Sequence, residues 1–324
     1  MSLYPSHHRR NRPPPSRVAE NIVSTEFWEP PTLRQQWTRC FLDGSMITHL
    51  DFTNNTEFGK LFSFRSDIDL TLVALELARD SQPDLDFGHT LEWIRQRAQD
   101  VTNGLIRTAD DRTILAEISN CLSGTHGLHG NKNAFGFADS SFINRVVETG
   151  VGIPISLSII YLAVAQQAGV DLVAVAAPTH FLTRLETIEG PLFLDAFHHG
   201  RVLNLDDCCE WLESLSGMSV EEIEQALEPA KSRDVVVRML NNLKAVYVKQ
   251  QRWEETWKVQ RRLTAIHPGE FQNRRDLAIT ALKSNRPGLA IDMLEECLKD
   301  CSANERPLLQ THLEMAERLL STFN

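Results

Sequence analysis

The stretch at residues 156–165 constrains the fold most, because it is apolar on almost every side. A helix without a polar stripe is stable only when other elements cover it all round. Pro154 stands just before this stretch, where the first residue of a helix needs no N–H, and Gly169 follows it as a glycine that ends a helix. The sequence therefore predicts a buried central helix with the rest of a domain packed around it.

Three short segments after this helix have the length and residue types of strands. They are residues 170–177, 180–185 and 192–195, and Pro178 and Thr179 form the turn between the first two. His180 begins the second segment and Asp195 ends the third. The pattern predicts an α+β fold in which a small antiparallel sheet packs on the central helix.

Further helices are predicted on both sides of this core. Two short helices follow the sheet, at residues 205–215 and 219–227. Four helices precede the central one, and each starts near a side chain that can accept a hydrogen bond from the first turn. These N-cap residues are Ser66 or Asp67, Asp84 or Asp86, Asp110 or Asp111, and Ser140 or Ser141.

The C-terminal part of the chain contains an internal repeat. A shift of 34 residues places Leu243 on Leu277 and Thr256 on Ala290. This period is that of tetratricopeptide repeats, in which pairs of helices stack on one another. Because two repeats and a final helix are fewer than the ~3 repeats that stand alone, we expect this segment to pack on the preceding domain.

Composition excludes several classes of protein. A net charge of −10 argues against a nucleic-acid binder, because such proteins carry concentrated positive charge. The six cysteines form no disulfide or metal-binding pattern, which predicts a reducing, cytoplasmic location. No apolar run reaches the ~20 residues that span a bilayer, so we expect no membrane association.

The sequence divides into three predicted regions. Residues 1–25 are rich in Pro, Arg, His and Ser and read as a disordered arm. Residues 26–230 form the α+β domain with a helical N-terminal part, and residues 231–324 form the all-α repeat segment.

Several motifs, taken in order, resemble the SirB-type family. They include the sequences at residues 127–131, 141–147, 152–158, 178–184 and 195–197. The resemblance implies a papain- or transglutaminase-like domain followed by tetratricopeptide repeats. It also places His180 and Asp195 where related enzymes carry a general base and the residue that orients it.

The nucleophile of such enzymes is missing from its expected position. The enzyme pattern Gly-x-Cys falls on Gly152, Ile153 and Pro154, so a proline stands where the cysteine belongs. No cysteine lies between Cys121 and Cys208. The sequence therefore excludes a cysteine-based reaction from the central helix.

Two functional hypotheses follow. The first is a non-catalytic interaction or regulatory protein, whose repeats bind a protein or peptide. For this role we predict contacts by Tyr247, Trp253 and Trp257 and no cofactor. The second is an amide or ester hydrolase, or an acyl transferase, with the following site: Ser156 or Ser158 as nucleophile, with His180 and Asp195.

A metal site is not predicted. Cys121, His126 and His129 lie near one another in sequence and carry ligand atoms, but no fourth ligand is evident nearby.

Overall fold

The computed structural model describes residues 52, 54–63, 65–105 and 109–322. The predicted arm at residues 1–25 lies outside them. The described chain is mostly helical and contains one four-stranded antiparallel sheet and one pair of two-residue parallel strands. The predicted α+β fold class with an all-α C-terminal segment is confirmed.

Among the described residues, five α-helices precede the central one. Two of the predicted caps are observed: Asp86 accepts a hydrogen bond from the backbone N–H of Gly88, and Asp110 accepts one from Thr113. The helices are α1 (Thr56–Lys60), α2 (Leu70–Arg79), α3 (Phe87–Gly104), α4 (Asp111–Ser119) and α5 (Ile143–Thr149).

Two predicted caps are wrong. Helix α2 is capped by Asp69 instead of Ser66 or Asp67, and Asp69 is itself held by Glu57, which accepts its backbone N–H. Helix α5 follows Phe142 and has no side-chain cap, since Ser140 and Ser141 belong to a separate 3-10 turn.

Helix α6 (Pro154–Gln167) is the predicted central helix, and it begins at the expected proline. All of its residues are buried except Leu162, Gln166 and Gln167. Gly169 follows it with a φ of 81°, a left-handed conformation that favours glycine. The helix packs against α3, α5 and the sheet, so its apolar surface is covered on every side.

The sheet has the strand order β3-β4-β5-β6, and all neighbours are antiparallel. Strand β6 was not predicted, because three residues after a glycine turn carry too little strand pattern to recognise. A separate parallel pair joins two residues on each side of α5. The strands are β1 (His129–Gly130), β2 (Val151–Gly152), β3 (Leu172–Val175), β4 (Leu182–Leu185), β5 (Leu192–Asp195) and β6 (Arg201–Leu203).

Helices α7 (Leu205–Ser216) and α8 (Val220–Ala226) cover the other face of the sheet. Both were predicted, and Ser219 caps α8 with a hydrogen bond to the N–H of Glu222. Their buried side chains form a second apolar cluster with strand residues such as Phe193. The sheet therefore has apolar side chains packed on both faces.

The C-terminal segment is built from helix pairs, as the repeat predicted. Gln251 and Asn285, which are 34 positions apart, both have a left-handed backbone with φ of 56° and 63°. Thr256 and Ala290 are both fully buried at the equivalent place in their helices. The helices are α9 (Ser232–Lys249), α10 (Trp253–Ile266), α11 (Phe271–Lys283), α12 (Pro287–Asp300) and α13 (Arg306–Ser321).

The first helix pair packs on the preceding α+β domain, as expected for a short repeat array. Buried side chains of α9 and α10 belong to the same apolar core as α6. Arg262 of α10 is 1% exposed and makes two hydrogen bonds, of 2.6 and 2.7 Å, to the carboxylate of Asp80 at the end of α2. Its guanidinium also lies 4.5 Å from the ring centre of Phe58.

We predict that Asp80→Ala lowers the free energy of unfolding by about 3 kcal/mol, because it leaves the buried charge of Arg262 without a carboxylate partner. Urea denaturation of the full chain measures this change. Glu92→Ala removes an exposed ion pair with Arg95 and should have little effect. If both substitutions lowered the free energy of unfolding equally, the ion pair between Arg262 and Asp80 would contribute no more than an exposed pair.

Candidate functional site

The two residues predicted as base and orienter lie side by side. His180 precedes β4, Asp195 ends β5, and the His180 Nε2 and Asp195 Oδ1 atoms are 2.8 Å apart. Both side chains are buried, with 7% and 0% of their surface exposed. Antiparallel pairing of the two strands thus brings together residues that are fifteen positions apart.

The turn before His180 is held by a repeat helix. Thr179 has a φ of 57°, which is strained for a β-branched residue. Arg238 of α9 donates hydrogen bonds to the backbone oxygens of Ala177 and His180, at 2.8 and 2.5 Å. Packing of the repeat segment therefore fixes the backbone that carries His180.

Asp195 makes more hydrogen bonds than it needs to orient the imidazole of His180. Its Oδ2 atom lies 2.6 Å from His198 Nδ1 and 3.4 Å from an Arg201 nitrogen. Its Oδ1 atom also accepts the backbone N–H groups of Phe197 and His198, each at 3.2 Å. Burial alone would raise the pKa of Asp195, but the hydrogen bonds and charges of His180 and His198 outweigh it and lower the pKa.

The two candidate nucleophiles point at backbone atoms. Ser156 Oγ donates to the carbonyl of Ser140 at 2.6 Å and accepts the N–H of Ile153 at 3.1 Å. Ser158 Oγ donates to the carbonyl of Phe181 at 3.4 Å. Among the described residues, neither hydroxyl forms a hydrogen bond with His180. The structure thus pairs His180 with Asp195 and leaves both serines out.

Aromatic rings surround the imidazole of His180. Its ring centre lies 5.0 Å from Trp211, 5.8 Å from Phe197 and 5.6 Å from His198. The His198 ring is stacked on it with an interplanar angle of 21°.

Sequence reasoning missed the contacts that complete this site. His198 could have been recognised from its spacing, because a side chain three residues after a strand-ending aspartate can fold back onto the carboxylate. Trp211 and Arg238 carried no such local signal, since their contacts depend on how distant helices pack.

The three residues predicted to bind a peptide do not share one open surface. Tyr247 is 1% exposed, and its hydroxyl hydrogen bonds to that of Ser81 at 3.0 Å. Trp257 is 7% exposed. Tyr247 and Trp257 are therefore packing residues, because the repeat segment uses these apolar positions for its own core. Trp253 is partly exposed, with the Lys283 Nζ atom 5.7 Å from its ring centre.

Metal-ligating side chains cluster at two places in the described part of the chain. Cys121 and His126 lie with Asp100, while His129 instead stacks on His199 and bonds the carbonyl of Gly127. The second cluster consists of His180, Asp195 and His198. In each cluster the ligand atoms lie within 4.8 Å of one another. The sequence had suggested only the first of these, as Cys121, His126 and His129, whereas the structure places Asp100 in the position expected for His129.

Within the described residues, no helix combines the length and the apolar character needed to cross a bilayer.

Two family models and several bacterial proteins are similar to this chain. A family model described as the transglutaminase-like superfamily matches residues 88–241, and one described as a tetratricopeptide repeat matches residues 243–319. A UPF0162 protein of Xylella fastidiosa is 29% identical over 255 residues, covering 75% of this chain and 88% of that protein. Protein SirB1 of Salmonella typhimurium is 22% identical over 230 residues, covering 71% and 84%.

No solved structure gives a significant match. The family models meet at the start of the repeats, in the order that the sequence motifs predicted. These matches confirm the resemblance of the chain to the SirB-type family, with a transglutaminase-like domain followed by C-terminal tetratricopeptide repeats.

Proposed function

We propose that this protein is a non-catalytic interaction or regulatory protein, in which the transglutaminase-like domain supports repeats that bind a protein or peptide. One observation carries this proposal: the hydroxyls of Ser156 and Ser158 bond to backbone carbonyls instead of His180. A serine becomes a useful nucleophile only when a base is aligned to take its proton. Neither of these serines is therefore placed to be activated by the pair of His180 and Asp195.

The cysteines near the sheet are poor replacements for the missing nucleophile. Cys208 is fully buried, and burial, with Cys209 and Asp195 nearby, raises the pKa of its thiol to about 12. A thiol with such a pKa is protonated at neutral pH and is unreactive. Cys121 is also buried, and burial raises the pKa of its thiol.

The contacts of Arg238 support a scaffold role for the domain. Arg238 connects α9 directly to the backbone at His180, and α9 and α10 share the apolar core of the domain. Helices α11 to α13 instead enclose a separate apolar cluster. On this proposal, the last helices act as the partner-binding part, and Trp253 and Lys283 provide contacts at the junction of α10 and α11.

An amide or ester hydrolase that uses Ser156 or Ser158 is the alternative function. Its support is the short hydrogen bond between His180 and Asp195, which is the arrangement of a base and its orienter. It requires one serine to turn away from its present carbonyl partner toward His180.

We predict that Ser156→Ala destabilises the protein by about 0.5–1.5 kcal/mol, because the Ser140 carbonyl and the Ile153 N–H lose their bonds to this hydroxyl and keep only the 3.2 Å hydrogen bond to each other. Ser158→Ala should have a smaller effect, since its single hydrogen bond is long at 3.4 Å. Thermal or urea unfolding of both variants measures the difference. A neutral Ser156→Ala would contradict the structural role of this hydroxyl.

We predict that a fluorophosphonate probe, which phosphonylates activated serines with loss of fluoride, does not label the folded wild-type chain. The physical reason is that neither serine has a base within hydrogen-bond reach. Intact-mass spectrometry measures the adduct, with an active serine hydrolase as positive control. Labelling that disappears in both His180→Ala and one of the two Ser→Ala variants would establish the alternative function.

We predict that Trp253→Ala abolishes capture of a specific protein partner while the protein remains folded. Crosslinking and affinity capture with quantitative mass spectrometry would compare it with His180→Ala, in which capture should persist. Circular dichroism checks that both variants fold. Loss of the partner in His180→Ala alone would contradict a binding role centred on the repeats.

A further inference from the structure

The pairing of His180 as a base with Asp195 as its orienting carboxylate does not explain why His198 also contacts Asp195. A catalytic base needs one carboxylate oxygen to fix its ring, and His180 already has Oδ1 of Asp195 at 2.8 Å. His198 approaches the other oxygen, Oδ2, at 2.6 Å, and its ring stacks on that of His180. Two imidazole nitrogens therefore converge on one fully buried carboxylate.

We propose that His180, Asp195 and His198 form a binding site for one divalent transition-metal ion, with zinc as the best-fitting ion. Imidazole nitrogen and carboxylate oxygen are zinc donors, and three protein ligands with one open position are typical of an accessible zinc site. The three ligand atoms lie within 4.8 Å of one another. The inference concerns metal binding and does not require catalysis.

The hydrogen bonds at Asp195 show how the ion would be accommodated. Both imidazole nitrogens that face the carboxylate must lose or lack their proton to bind a metal, and the ion then takes the place of those protons. Zinc lies about 2.0–2.2 Å from nitrogen and oxygen ligands, so each nitrogen–oxygen pair, now 2.8 and 2.6 Å apart, must separate slightly to admit the ion. The backbone N–H groups of Phe197 and His198 already orient the carboxylate, which is the role of an outer shell.

The proposed site is accessible to solvent on the side of His198. Half of its side chain, 49%, is exposed, whereas those of His180 and Asp195 are buried. An ion can enter from this side, and a water molecule can complete its coordination.

Tyr161 provides a second, independent observation. This residue of α6 is fully buried, and its hydroxyl has no hydrogen-bond partner among the described residues. Burial raises the pKa of Tyr161, and the nearby charge of Asp195 raises it further. Buried hydroxyls normally have a partner, and a water bound at the proposed site is one group that would supply it.

Arg201 opposes the ion and provides a diagnostic variant. One of its nitrogens is 3.4 Å from Asp195 Oδ2, its guanidinium lies 4.4 Å from the ring centre of Trp211, and 40% of its side chain is exposed, so it can move away from Asp195 toward solvent. Removal of this positive charge should strengthen binding of a cation at Asp195. A merely structural cluster of hydrogen bonds would show no such gain.

The test is a titration of the full, metal-stripped chain with Zn²⁺ by calorimetry and with Co²⁺ by visible absorption. We expect one ion per chain and a visible Co²⁺ spectrum of the kind that nitrogen ligands produce. His198→Ala should weaken binding at least about tenfold, since even outer-shell changes weaken it by ~10–100-fold. Arg201→Gln should strengthen it several-fold.

His129→Ala is the matched control, because this neighbouring histidine lies outside the cluster, and it should leave binding unchanged. Absence of one-to-one binding would overturn the proposal. Binding that persists in His198→Ala would also overturn it. So would loss of binding on replacing Cys121 by Ser, or on replacing both His7 and His8 by Ala. These results are independent of whether any serine is acylated, so failure here leaves the proposed function standing.

Discussion

The complete burial of helix α6 is the constraint on which the rest of the structure depends. Because this helix has no polar face, the domain must enclose it with helices on one side and with the sheet on the other. The same enclosure fixes the two serines. Their hydroxyls are buried near the start of the helix, where unpaired polar groups are costly, so they bond to the nearest carbonyls of surrounding segments. Burial of the helix and loss of a free nucleophile are thus linked.

The repeat segment and the domain form one packed unit around the His180 turn. Arg262 and Tyr247 reach α2 and its following turn, and Arg238 reaches the backbone on both sides of the strained Thr179. Helix α9, which runs on into the repeats, is thus joined by direct hydrogen bonds to the backbone that carries His180.

Much of this arrangement could be predicted from sequence, and the failures have identifiable causes. The apolar run at α6, the 34-residue repeat and the positions of His180 and Asp195 follow from local periodicity and motif order. Strand β6 is too short to recognise, and the Asp69 cap depends on Glu57, which is twelve positions away and accepts the backbone N–H of Asp69. The prediction that Tyr247 binds a partner was wrong, because this residue of the repeat segment packs on the domain and hydrogen bonds to Ser81. The bond between His198 and Asp195 requires the tight turn after β5.

The most direct test of the central claim is the ¹⁵N spectrum of the His180 imidazole in the folded protein, assigned with the His180→Ala variant. The account predicts a proton on Nε2, hydrogen bonded to Asp195, and an Nδ1 resonance that is the same in the wild type, Ser156→Ala and Ser158→Ala. A shift of the Nδ1 resonance confined to one serine variant would show that this hydroxyl contacts the base. That result would contradict the non-catalytic account.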